Sequence, residues 1–130
     1  MARELITSGS PWEAKLGYSR AVVVNDTIYT SASAATGPDG KVVSPDLYEQ
    51  TAHVLAMLGR ILDKNGFSLA DVVQSKLYVS DFENWAEATR AHGEVFGEIR
   101  PALSLLHVLP FLDAAMLVEV ELVAQRLSTD

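Results

Sequence analysis

The hydrophobic pattern changes period several times along the chain. Ala21-Val22-Val23-Val24 and Thr27-Ile28-Tyr29-Thr30 are β-prone runs separated by Asn25-Asp26, a pair that tolerates positive φ, and this layout predicts a hairpin. Gly37-Pro38-Asp39-Gly40 marks a second turn, followed by a short extended piece, Lys41-Val42-Val43. Helical spacing takes over with Leu47, Thr51, Leu55, Leu58 and Leu62, widened by Val54 and Ile61. Ser44-Pro45-Asp46 reads as the start of this helix, serine capping and proline in the first turn, and Gly66 as its left-handed stop. Residues 70–80 return to period two, with Val73, Leu77 and Val79 on one face and Gln74, Lys76 and Tyr78 on the other. Asp81 is placed to cap a second helix that carries Trp85, His92, Phe96 and Ile99 along one side and closes at Arg100-Pro101. Two strands follow, residues 103–109 and 116–125, joined by a loop around Pro110 to Ala114. The order predicts an α+β domain over residues 1–130, with two helices on one face of a single sheet.

Such a sheet should show polar side chains on its open face. The segment Ser104-Leu105-Leu106-His107-Val108-Leu109 is instead apolar on both faces. Either it is covered twice within one domain or another copy of the chain covers it. Two helices are too few to cover both sides, so self-association is the better reading, with cyclic symmetry expected. In the last strand Val118, Val120, Leu122 and Ala124 form one apolar face, and Glu119 and Glu121 point the other way. Leu103, Leu105 and His107 are expected to share the glutamates' face. Two carboxylates on a largely buried strand need partners; solvated glutamates at a strand end are the alternative.

Composition narrows the function classes. Seventeen acidic against ten basic side chains give a net charge of −7, which argues against nucleic-acid binding. The absence of cysteine excludes disulfides, thiolate metal sites and cysteine nucleophiles. No apolar run is long enough for a transmembrane helix, and Met1-Ala2-Arg3-Glu4-Leu5 lacks a signal-peptide layout, so a soluble cytoplasmic protein is expected.

Five motifs, spread over roughly residues 15–126, carry a family resemblance. They are Tyr48-Glu49-Gln50-Thr51, Ser68-Leu69-Ala70-Asp71-Val72-Val73, Tyr78-Val79-Ser80-Asp81-Phe82, Arg100-Pro101-Ala102-Leu103-Ser104 and Val118-Glu119-Val120-Glu121. In them the chain resembles the Rid family, the YjgF-type proteins often labelled reactive intermediate deaminases. The resemblance implies a chorismate-mutase-like fold, with a single mixed sheet, and a homotrimer whose sheets form a central barrel with clefts between adjacent subunits. It also implies hydrolysis of enamines and imines to a keto compound and ammonia, with neither metal nor organic cofactor.

The carry-over of site residues is incomplete. Where the deaminating members place a carboxylate-binding arginine, this chain has Leu103, which cannot form a bidentate charge pair. The family's asparagine in the second helix corresponds to Thr89, and its Ser-Gly pair to Ser31-Ala32. The pocket tyrosine matches Tyr18, and the water-activating glutamate falls on Glu119, with Glu121 two residues on. Arg20 and His107 are the candidates to replace the missing arginine, His107 also as a general acid or base. Each also has a bland role, as a solvent-facing strand arginine or an interface histidine. Arg100 reads as a helix C-terminal cation, His53 and His92 as structural, and Asp113 as a turn residue. Leu103, Leu105 and Trp85 favour a large or apolar substrate. Two readings stay open: a divergent imine or enamine hydrolase, and a trimeric module that binds a small metabolite or a partner enzyme without turnover. Ribonuclease activity, sometimes attached to the family, fits poorly with the acidic charge.

Overall fold

A computed structural model describes residues 3–127. Its strands are β1 (Glu4–Ile6), β2 (Ala21–Val24), β3 (Thr27–Thr30), β4 (Ser33–Ala34), β5 (Val72–Val79), β6 (Ala102–His107) and β7 (Val118–Gln125). The helices are α1 (Pro11–Leu16), α2 (Leu47–Lys64) and α3 (Trp85–Phe96). The sheet order is β1-β2-β3-β7-β5-β6, with β4 also pairing β7. Only β5 and β6 run parallel, as expected for strands joined through a helix, so the sheet is mixed.

The predicted hairpin forms, with Asn25 at φ +54°. The stripe on α2 is also as expected: Leu47, Thr51, Val54, Leu55, Leu58 and Leu62 are buried. They pack with Ala88 and Phe96 of α3 against Ile28, Leu77, Val79 and the wholly buried Val118, Val120, Leu122 and Ala124. This is one core between two helices and one sheet face. Gly66 takes φ +81° just after α2.

Several boundaries are corrected. Neither β1 nor the short α1 is visible as a period in the sequence; α1 is defined by its Ser10 cap, Pro11 and the left-handed Gly17. Asp46, not Ser44, caps α2, accepting from the Glu49 amide at 2.8 Å, and Ser44 lies outside the helix. Lys41-Val42-Val43 forms a lone bridge, Thr36 to Val42, rather than a strand. Asp81 precedes a 3₁₀ turn, Phe82–Asn84, and α3 begins only at Trp85. That helix ends at Phe96, and Arg100 sits in the left-handed region at φ +59° with its amide on the Phe96 carbonyl. Trp85 faces outward, while Ala88, Ala91, His92 and Phe96 are buried. A bulge between Val72 and Gln74 turns Val72 into the core and Val73 out to 48% exposure.

Candidate functional site

The register decides which side chains can meet. Tyr78 pairs with Glu119 and Lys76 with Glu121 across β5 and β7, so these four share the sheet face turned away from α2 and α3. In the parallel pair Ser75 stands beside Leu103, Leu77 beside Leu105 and Val79 beside His107. Leu103, Leu105 and His107 therefore lie on the helix side of the sheet. This overturns the expectation that they share a face with Glu119 and Glu121; Ser104 and Leu106 do so instead. The error came from treating neighbouring strands as in phase without knowing the register.

The candidate residues thus fall into two groups on one chain. The first gathers where the chain enters β2 and leaves β3. Arg20 Nη2 donates to the Tyr18 hydroxyl at 3.2 Å, and Arg20 Nη1 donates to Ser33 Oγ at 2.8 Å and to the Ala32 carbonyl at 3.3 Å. Ser31 donates its amide to the Arg20 carbonyl at 2.9 Å and its hydroxyl to the Ser19 carbonyl at 2.6 Å. Glu119 stands opposite Ala34 on the adjoining strand, half-buried. Burial pushes its carboxyl above the ordinary range, and the positive charge of Arg20 pulls it partly back. Arg20 is therefore not a solvent-facing strand residue.

One acid outside the candidates named above belongs to this neighbourhood. Glu13, on α1, is buried, and it accepts from Thr7 Oγ1 at 2.7 Å, the Ser8 amide at 3.1 Å and the Ser8 hydroxyl. Burial alone would raise its carboxyl, but these donors and Arg20, 3.7 Å away, outweigh it and hold the group below the usual range. Glu121 is engaged elsewhere, accepting from the Tyr78 hydroxyl at 2.7 Å with Lys76 at 3.9 Å. That hydrogen bond, with burial and the two glutamate charges, pushes the Tyr78 phenol up to about 12. Of the paired glutamates, Glu119 is the one without such a clamp.

The second group lies along the sheet edge. Val79, Phe82, Trp85, Leu105, Leu106 and His107 line a cavity of about 310 Å³, within the size range of small-molecule sites. The Phe82 and His107 rings stack with centroids 4.4 Å apart. Leu103 lies one pair before Leu105 on the same face, and Thr89 lies one turn after Trp85 with its hydroxyl on the Ala86 carbonyl at 3.0 Å. Phe82 is a lining residue that its motif position offered and the candidate set omitted. Nothing in the sequence marks Glu13 or Ser33, because their contacts depend on how α1 and β4 fold against Arg20.

Residues 9–126 match the family model described as Endoribonuclease L-PSP, and the chain belongs to this family, the YjgF or Rid proteins. It is 32% identical over 127 residues to a RutC family protein of Pyrococcus abyssi, covering 97% of this chain and 99% of that one. The crystal structure of Rv2704 from Mycobacterium tuberculosis, described as a member of the YjgF/YER057c/UK114 family, superposes with a TM-score of 0.86 at 33% identity, covering 96% of this chain and all of that one. Reactive Intermediate Deaminase A of Arabidopsis thaliana is 30% identical over 97 residues, spanning 73% of this chain and 52% of that protein. Among the described residues no helix is long and apolar enough to cross a membrane.

Proposed function

We propose that this protein is a divergent enamine or imine hydrolase that works without a cofactor in clefts between the copies of a homotrimer. The observation that carries the reading is Glu119: a half-buried carboxylate whose basicity is raised by burial, standing beside the Tyr18–Arg20 group and free of the clamp that occupies Glu121. A carboxylate raised toward neutrality is a better general base at working pH. It takes a proton from water as the oxygen adds to the carbon of the protonated imine, giving a neutral carbinolamine. That proton passes to nitrogen, and as the C–N bond breaks Glu119 takes the hydroxyl proton, leaving the ketone and ammonia. The proton then passes to solvent and restores the carboxylate. Homology to a reactive intermediate deaminase supports the same chemistry. Net charge −7 disfavours RNA as the substrate, despite the family's description.

The substrate differs from that of the deaminating relatives. With Leu103 at the arginine position, the cleft lacks the fork that would hold an α-carboxylate. The aromatic and leucine-lined cavity beside β6 suits an apolar side chain in its place. Because Glu119 lies on the sheet face opposite Leu105 and His107, the two groups meet only when one copy supplies Glu119 and Tyr18 and its neighbour supplies Leu105, Trp85 and His107.

The test generates imines from alanine, leucine and phenylalanine with an amino-acid oxidase and follows their decay by semicarbazide trapping. Wild type should hydrolyse the bulky imines faster than 2-iminopropanoate. Leu103→Arg should gain about tenfold or more on all three carboxylated imines, as expected for a bidentate charge pair. Glu119→Gln should lose about 100-fold or more. Silence of wild type and Leu103→Arg on every imine would overturn the hydrolase and leave the non-catalytic binding module standing.

A further inference from the structure

Arg20 is too thoroughly engaged to act as a substitute carboxylate clamp. Its side chain is 13% exposed. Nη1 serves Ala32 and Ser33, Nη2 serves Tyr18, and Nε faces the buried Glu13 carboxylate at 3.7 Å. Glu13 is in turn fixed by Thr7 and Ser8. A guanidinium tied to α1, to β4 and to the residues before β2 has no free fork to offer a ligand. The same bonds do something else. A phenol that accepts a hydrogen bond from Arg20 keeps its own O–H for another acceptor, and the guanidinium blocks the side from which it is approached. Arg20 holds Ser33, the residue before the Ala34 that stands opposite Glu119, and its cation acts on that carboxylate. An anion 3.7 Å from the guanidinium, Glu13, offsets part of the cation's field.

We propose that Arg20 is the positioning residue of this site, locked by buried Glu13 so that it aims the Tyr18 hydroxyl and sets the electrostatic environment of Glu119. The proposal rests on the hydrolase reading only in taking Glu119 and Tyr18 as the working pair. The groups around Glu119 are few. Its partner Ala34 on β4 brings no titratable side chain, β5 presents Tyr78 and Lys76, and β7 itself presents Glu121. Tyr78 and Lys76 are both turned to Glu121, which leaves Arg20 as the cation acting on Glu119.

Removing each member of the Glu13–Arg20 pair must therefore move Glu119 in opposite directions. Loss of a nearby cation disfavours the carboxylate, and loss of a nearby anion favours it. The experiment is a carbon-13 NMR titration of glutamate side-chain carboxyls in the intact protein, with Glu119 assigned through Glu119→Gln. Arg20→Gln should raise the Glu119 midpoint by about half a pH unit or more. Glu13→Gln should lower it. Arg20→Lys should keep it near the wild-type value while shifting the Tyr18 Cζ resonance, since lysine preserves charge but not the fork. Midpoints that move the same way in Arg20→Gln and Glu13→Gln, or that do not move, overturn the proposal. Should Glu13→Gln fail to fold, equal midpoints in Arg20→Gln and Arg20→Lys overturn it. The titration needs no turnover. Midpoints as expected in a protein that hydrolyses no imine uphold the positioning role and sink the hydrolase reading.

Discussion

His92 of α3 and Ser75 of β5 make a polar contact across the helix–sheet interior: His92 Nε2 and Ser75 Oγ lie 2.7 Å apart, both residues buried. Phe96 packs on the imidazole with centroids 4.7 Å apart. Burial pushes the His92 imidazole below its ordinary 6.5. On acidification the unfolded chain takes up this proton near pH 6.5 while the folded chain still refuses it, so the unfolded state binds more protons. The stabilisation is present above pH 6.5 and is lost as pH falls from there through the depressed folded value. Thermal unfolding followed from pH 8 to 5 should show wild type losing stability more steeply than His92→Gln, which keeps a hydrogen-bonding group near Ser75 without the titration. Parallel curves for the two proteins would refute the assignment. Helical spacing identified His92 as structural, as the sheet contact bears out. Its partner Ser75 follows from strand alternation, on the face of Leu77 and Val79; the bulge that turns Val72 inward and Val73 outward was illegible, because no residue type announces a bulge. Glu119 was legible as a candidate because strand alternation and a family motif point to it, and Tyr18 only through the family's pocket tyrosine. Glu13 was not, because a buried acid on a six-residue helix leaves no periodic trace.

At the scale of elements, the join between α2 and β7 hangs on Gln50. It is wholly buried, donates through Nε2 to the carbonyls of Ser44 at 2.7 Å and Ala115 at 2.9 Å, and accepts through Oε1 from the Leu117 amide at 2.9 Å. One side chain thus satisfies backbone groups of the segment before α2 and of the loop that leads into β7. Gln50→Leu fills the volume but leaves the Ala115 carbonyl and the Leu117 amide without their partner. Unsatisfied buried groups of this kind cost about 1–3 kcal/mol each, so a loss of roughly 2–4 kcal/mol is expected in chemical denaturation. A loss within 0.5 kcal/mol, the size of an ordinary surface change, would mean that water replaces the side chain. Elements with a full period, α2, α3, β5 and β7, could be read directly because their burial stripe is long. The three-residue β1 and six-residue α1 are too short to show one and depend on tertiary contacts. Cap positions shifted for a similar reason: Ser44, Pro45 and Asp46 are all competent helix starters, but Asp46 accepts from the Glu49 amide inside the helix, whereas the Ser44 hydroxyl accepts from the Asp46 amide ahead of it.

At the scale of the molecule, β6 sets the problem that an isolated chain does not solve. It is an edge strand exposed along its whole length, and Leu103, Leu105 and Leu106 remain 42%, 41% and 39% exposed. Unpaired edges carrying leucines on both faces invite pairing with another chain. The doubly apolar pattern of this strand is therefore real, and a second cover within the same chain is absent among the described residues. The number of copies was illegible in periodicity, which reports what is buried but not what buries it; the trimer comes from the family resemblance alone. Sedimentation at micromolar concentration should report about three times the 14.1 kDa of one chain. Leu106 shares the Glu119 face of the sheet, away from the helices, so Leu106→Lys should spare the core. Its charge, buried against a neighbouring copy, should drive the protein toward single chains. Those chains would keep Glu119 and Tyr18 in place yet lose imine hydrolysis, since Leu105, Trp85 and His107 sit across the sheet from them. Activity that survives in dissociated Leu106→Lys would show that one chain suffices, and a wild type that sediments as a monomer would remove the cleft between copies altogether.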